Sequence, residues 1–222
     1  MTKIIAKELK QASWISLILL LLSALLWSNK TLFSGLSISA ALPLHTALET
    51  ATIVIFASVF IVCWNAFGEF RRKSSVILAV AFLCTSIFGF FHAISFQGMP
   101  GFPGAIDMHK SLSFWLFSRA IAAATLLGLA LHRSDSQVST NASLGVLSAG
   151  LLLTLLVSIL VFQFPETFPL SFIEGQAHTD FKMANEISLI VMNLLTSVLL
   201  YRQVARSVAE TTVSHLQIKR AY

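Results

Sequence analysis

Charge is what this chain has least of. Only 11% of its 222 residues are Asp, Glu, Lys or Arg, while 56% are hydrophobic. So few charges exclude a soluble globular domain and indicate an integral membrane protein. The net charge of +5 would suggest nucleic-acid binding in a soluble protein, but here the basic residues sit beside apolar runs, where they act as topology determinants. Nucleic acid is therefore not an expected partner. Cysteine is also scarce: Cys63 and Cys84 both lie inside apolar segments, with no C-x-x-C or Cys/His spacing of a zinc site. Both are predicted to be small packing residues. Phosphate-binding loops, a Gly-x-Ser-x-Gly nucleophile and an HExxH pair are missing too, so no catalytic residue and no enzymatic activity are expected of this chain.

What the sequence has in quantity is apolar length. Six segments, 13–33, 46–66, 75–95, 111–131, 142–163 and 183–203, meet the requirement of roughly 20 mostly apolar residues for a helical span. The predicted fold is an all-α integral membrane bundle of six transmembrane helices. Lys3, Lys7, Lys10, Arg71, Arg72, Lys73, Arg133, Arg202, Arg206, Lys219 and Arg220 share one side, against Lys30, Lys110 and Lys182 on the other. By the positive-inside rule both termini are cytoplasmic. The start, with three lysines before an apolar run and small residues at 37–41, also has the outline of a secretory leader. Either reading leaves the later topology unchanged. The expected domains are a cytoplasmic segment 1–12, a membrane domain 13–203 and a cytoplasmic helix 204–222.

With that orientation the ionisable residues His45, Glu49, His92, Asp107, His109, Arg119 and Glu186 all fall toward the outer side. Ionisable groups in or beside hydrocarbon cost several kcal/mol unless paired or wetted, and so mark a binding site, a proton path or a structural ion pair. Span five carries none between 142 and 163 and is predicted to be the most lipid-exposed helix. The outer connection 96–110 holds Gly98, Pro100, Gly101, Pro103 and Gly104 and reads as a structured lid. The connection 165–182 alternates Phe168, Phe172 and Ile173 with acidic residues and reads as an amphipathic interfacial stretch. Trp64 and Asn65 are expected to anchor and cap the inner end of span two.

His45 and Glu49 lie four apart, one turn along the same helix face. With His92 from an antiparallel neighbour they offer three ligands for a metal ion, and the two histidines are also candidates for axial haem ligation. An interfacial histidine that merely hydrogen-bonds a backbone carbonyl is the plainer alternative. Loop residues Met99 and Met108 keep copper open. Arg119 lies about 12 Å into its span at 1.5 Å per residue and must snorkel or find an anion. Glu49 and Glu186 are its candidate partners, either in a structural ion pair or around an anionic ligand. Trp115, four residues earlier, is placed to stack on the guanidinium or on a flat ligand.

The stretch 43–65, PLHTALETATIVIFASVFIVCWN, resembles the opening signature of bacterial membrane-associated sensor (MASE) domains of the third type, in which His-Thr and a Glu lead through an apolar helix to Trp-Asn. His92, the Gly98-Met99 turn and the Trp115 and Arg119 pair are similar to that family's next signature, and Glu186 stands where its final helix carries a Glu. The resemblance covers about residues 40–205.

It implies an amino-terminal input module of diguanylate cyclases, phosphodiesterases or histidine kinases. No GGDEF, EAL or kinase domain follows Tyr222 in the sequence, so the expectation is an excised input domain or a standalone relative. Taken with the residues, the expected protein is a sensory module of the bacterial inner membrane that pairs with a second copy as a homodimer. Its pocket would be lined by His45, Glu49, His92, Trp115, Arg119 and Glu186 and its last helix would signal to a cytoplasmic output domain. Candidate stimuli are a metal ion or haem, a small anionic or quinone-like molecule, and protons. A membrane redox protein or small transporter using His45 and His92 is the alternative.

Overall fold

Long unbroken apolar runs dictate helix, because a backbone in hydrocarbon must satisfy its own hydrogen bonds. The computed structural model describes residues 2–28, 38–70, 72–99, 108–132, 136–173 and 179–220. These form six helices: α1 (Thr2–Ser28), α2 (Ile38–Phe70), α3 (Lys73–Ser95), α4 (Met108–Leu131), α5 (Thr140–Gln163) and α6 (Asp180–Arg220). A 3-10 turn at Pro165–Thr167 follows α5. No strand occurs among the described residues, which hold only an isolated bridge between Arg72 and Gln137.

Five helical stretches are long and apolar enough to cross a membrane: Leu42–Ala66, Lys73–Ser95, Met108–Leu131, Thr140–Gln163 and Asp180–Arg206. They match the predicted second to sixth spans. For the first, the described side chains give the apolar stretch Lys10–Leu25, about 24 Å at 1.5 Å per residue, which overlaps the predicted 13–33 span. The far end of the predicted 13–33 span lies outside the described residues.

The chain divides into two compact units, 1–37 with 197–222, and 38–196. In the first, Ala12, Ser13, Ser16, Leu17 and Leu20 of α1 line a cleft with Ser197, Leu200, Tyr201 and Val204 of α6. The second unit carries the ionisable residues and is built around α3, which packs against α2, α4 and α5. Val76, Val80 and Cys84 form one buried cluster, joined by Trp64, Ile121 and Leu147. Phe88, Phe114 and Val161 form another, joined by Phe91, Phe117 and Phe162. Cys84 is thus the buried packing residue expected, and both thiols are free.

Small and hydroxylated residues let these helices approach. A Cβ at Gly150 would stand 2.5 Å from Val80 Cγ1, so only glycine fits where α5 crosses α3. Ser86 Oγ donates to the Ile53 carbonyl at 3.2 Å and Ser118 Oγ to the Thr85 carbonyl at 3.0 Å, tying α3 to α2 and α4. Such hydroxyl bonds and small contacts are how helices associate in lipid.

Two expectations fail here. Span five is not the most exposed: 17% of its apolar window is buried, against none for α2. Gly150, Thr154 and Ser158 give α5 a small-residue face that packs, and an absence of charge does not report that. Asn65 caps nothing either, because its Nδ2 donates to the Ile61 carbonyl at 2.7 Å and α2 runs on to Phe70.

Candidate functional site

The beginnings of α2 and α4 meet the end of α3, and most of the predicted site residues gather there. His92 is buried, 3% exposed. Its Nδ1 lies 2.8 Å from the Ser111 backbone carbonyl and 2.9 Å from Ser111 Oγ, while that hydroxyl donates to the His92 carbonyl at 3.1 Å. A carbonyl oxygen only accepts, so Nδ1 carries the proton and donates. In the neutral ring Nε2 is then a bare lone pair.

That lone pair faces a carboxylate. Glu49 Oε1 stands 3.9 Å from His92 Nε2, and Glu49 Oε2 stands 3.8 Å from Arg119 Nη2. Both separations exceed a hydrogen bond. Arg119 is further held by aromatic faces, its Cζ 5.6 Å from the Phe56 ring centre and 5.8 Å from that of Trp115. The expected stacking of Trp115 on the guanidinium is therefore present, with Phe56 on a second ring that sequence reading did not single out.

His45, one turn before Glu49, stacks on Phe96 with ring centres 3.9 Å apart and meets His92 edge-on at 5.6 Å. Its buried Nε2 has no hydrogen-bond partner. A buried ring nitrogen in that state costs free energy until something binds it. Thr46 Oγ1 lies 3.9 Å from Met99 Sδ, which brings one of the two loop thioethers beside the His45 turn.

Other predicted residues lie elsewhere. Glu186 pairs with Lys182, Nζ to Oε1 at 2.8 Å, one turn back on α6, so Arg119 takes Glu49 as its partner. His109 Nε2 donates to the Pro165 carbonyl at 3.0 Å, fastening the start of α4 to the 3-10 turn. Asp107 and most of the expected lid lie outside the described residues; of that loop, Gly98 has φ +97°, which glycine adopts without strain. Of the 165–182 connection, the described part 165–173 packs on the helices, with Phe168 against Phe117 and Ser171 buried.

The haem arrangement does not fit these rings. Edge-on contact between His45 and His92 leaves no slot for a porphyrin between them. A metal ion fits the donor chemistry of two imidazoles and a carboxylate, although among the described residues no three such side chains converge as a ready-made site.

The family model described as a membrane-associated sensor domain, MASE3, matches residues 36–218. The chain belongs to this family. No curated protein and no solved structure matches it. The match embraces α2 through α6 and every residue of the His45, Glu49, His92 and Arg119 cluster, so the cluster lies inside a sensor domain and the chain is a sensory module of the membrane.

Proposed function

We propose that this sensor domain receives its stimulus at the Glu49 carboxylate, where a small cation binds between Glu49 and the two histidines, and that the response passes along α6 to an output domain or partner. One observation carries the reading: a tautomer-locked His92 presents Nε2 to Glu49 across 3.9 Å. Two acceptors face each other there, and a positive ion placed between them relieves the opposition. The unpartnered Nε2 of His45, on a ring whose centre lies 5.6 Å from that of His92, supplies a further donor once the ring turns toward Glu49, and Arg119 neutralises the second carboxylate oxygen.

The chemistry suits a divalent transition metal, held by imidazole and carboxylate, with a proton as the smallest alternative. The backbone bond to His92 Nδ1 is the outer-shell contact that orients metal-binding histidines. The charge distribution favours a bacterial inner-membrane topology with both ends cytoplasmic and the cluster facing the outside. In this reading 13–203 is the membrane domain and the segment 204–222 carries the signal, its described part being the end of α6 up to Arg220. Cyclic-di-GMP or two-component outputs are the fitting partners, with a homodimer as the working assembly. Binding must favour one packing of α2, α3 and α4 over another; about 1.4 kcal/mol of preference shifts that balance tenfold.

The test uses residues 1–222 fused to a reporter output domain, with Zn2+ or Cu2+ titrated outside the cell and metal content measured on the purified protein. Output should respond to one ion, and Glu49→Gln and His92→Gln should each abolish both the response and the bound metal. A response that survives Glu49→Gln overturns the proposal.

A further inference from the structure

A second polar feature lies on the opposite side of α4. Ser113, Leu116, Phe117 and Ala120 form one wall of a cleft of about 120 Å³, completed by Phe168, Pro169 and Ser171 and by Phe181 and Asn185 of α6. We infer that this cleft is a binding site for a single-ring phenol.

Size and wall chemistry point to one ring. A cavity of about 150 Å³ with apolar walls holds a benzene molecule, and this cleft is comparable, with an open side for the remainder. Phe117, Phe168 and Phe181 supply aromatic surface against which a ring packs edge-to-face or offset.

The polar groups point to a hydroxyl on that ring. Ser171 is 1% exposed and its Oγ has no partner, so its proton is available to an acceptor. Asn185 Nδ2 already donates to the Phe181 carbonyl at 2.9 Å, and Ser113 Oγ donates to the His109 carbonyl at 2.8 Å. What remains is acceptor capacity on both, Asn185 Oδ1 and the Ser113 lone pairs, together with the second Nδ2 hydrogen of Asn185. Donors on Ser171 and Asn185 beside acceptors on Asn185 and Ser113 complement a phenol, whose oxygen both accepts and donates. A plain hydrocarbon or an acyl chain leaves Ser171 as it is.

The cleft is built rather than incidental. His109 fastens Pro165 to α4, and Thr179 Oγ1 donates to the Leu170 carbonyl at 2.6 Å while accepting from the Lys182 backbone N–H at 3.3 Å. Thr179 thereby caps α6 and ties it to the same segment. A ligand in the cleft touches α4, the 165–173 segment and α6 together, and α6 is the helix that leads toward the output.

The full chain in detergent, titrated with 4-fluorophenol and followed by fluorine NMR, tests this, with fluorobenzene as the ring lacking a hydroxyl. Binding of 4-fluorophenol should saturate and should fall about tenfold in Ser171→Ala, one hydrogen bond's worth. Fluorobenzene should bind about tenfold more weakly to the unsubstituted chain. Ala120→Phe should fill the cleft and abolish binding, and Glu49→Gln should leave it unchanged, which separates this site from the cation site. Should Ala120→Phe fail to fold, Ser171→Ala still decides. Equal uptake of both probes, indifferent to Ser171→Ala, would mean simple partition into detergent and would overturn the inference; so would loss of binding in Glu49→Gln.

Discussion

His92 Nδ1 donates to the Ser111 carbonyl at 2.8 Å, and this bond fixes which nitrogen of the ring meets Glu49. It also ties α3 to α4 at a buried point. His92→Ala should therefore cost about 1–3 kcal/mol, since it strips a buried hydrogen bond and leaves Ser111 groups unpaired. Thermal unfolding in detergent measures it, and a loss below a few tenths of a kcal/mol would show that the bond does not hold the helices.

Arg119 is braced by two rings as well as by a carboxylate. Arg119→Lys keeps the charge but loses the planar group that lies over Trp115 and Phe56, and the two side chains are not interchangeable at stacked sites. The reporter fusion carrying Arg119→Lys should lose most of its response while remaining folded by circular dichroism. A fully retained response would reduce Arg119 to a point charge.

Glu186 offers a contrast. Its pair with Lys182 is an i,i+4 contact on a carboxylate that is 37% exposed. Glu186→Gln should leave the cation response of the fusion unchanged, whereas Glu49→Gln removes it. Equal loss in both variants would return Glu186 to the site.

The crossing of α5 over α3 gives a purely structural prediction. Gly150→Ala places a methyl 2.5 Å from Val80 Cγ1 and 3.4 Å from Cys84 Sγ. Overpacking of this kind costs about 1–3 kcal/mol, read as a lowered melting temperature. Val80→Ala should recover part of that loss by making room.

The helices were legible in the sequence because apolar length alone determines them, and five spans lie where hydropathy puts them. The convergence of His45, Glu49, His92, Trp115 and Arg119 was legible because short connections make consecutive spans antiparallel and charge bias groups the starts of even spans with the ends of odd ones. What was hidden has one cause: sequence reveals which residues share a helix face but not which neighbour that face meets. Ser111 carries no signal of its own until His92 lies opposite it. Glu186 and Lys182 are four apart on one helix, a pairing visible in the sequence, yet Arg119 was the more conspicuous cation. Gly150 and Ser171 acquire meaning only from Val80 and from the cleft.

α4 stands between the two sites. Ser111, Trp115 and Arg119 occupy one side of it, and Ser113, Leu116, Phe117 and Ala120 lie on roughly the other at about 100° per residue. Were a ligand on one side to turn this helix about its own axis, the other side would feel it, and by reciprocity each ligand would then change the hold on the other by the same factor.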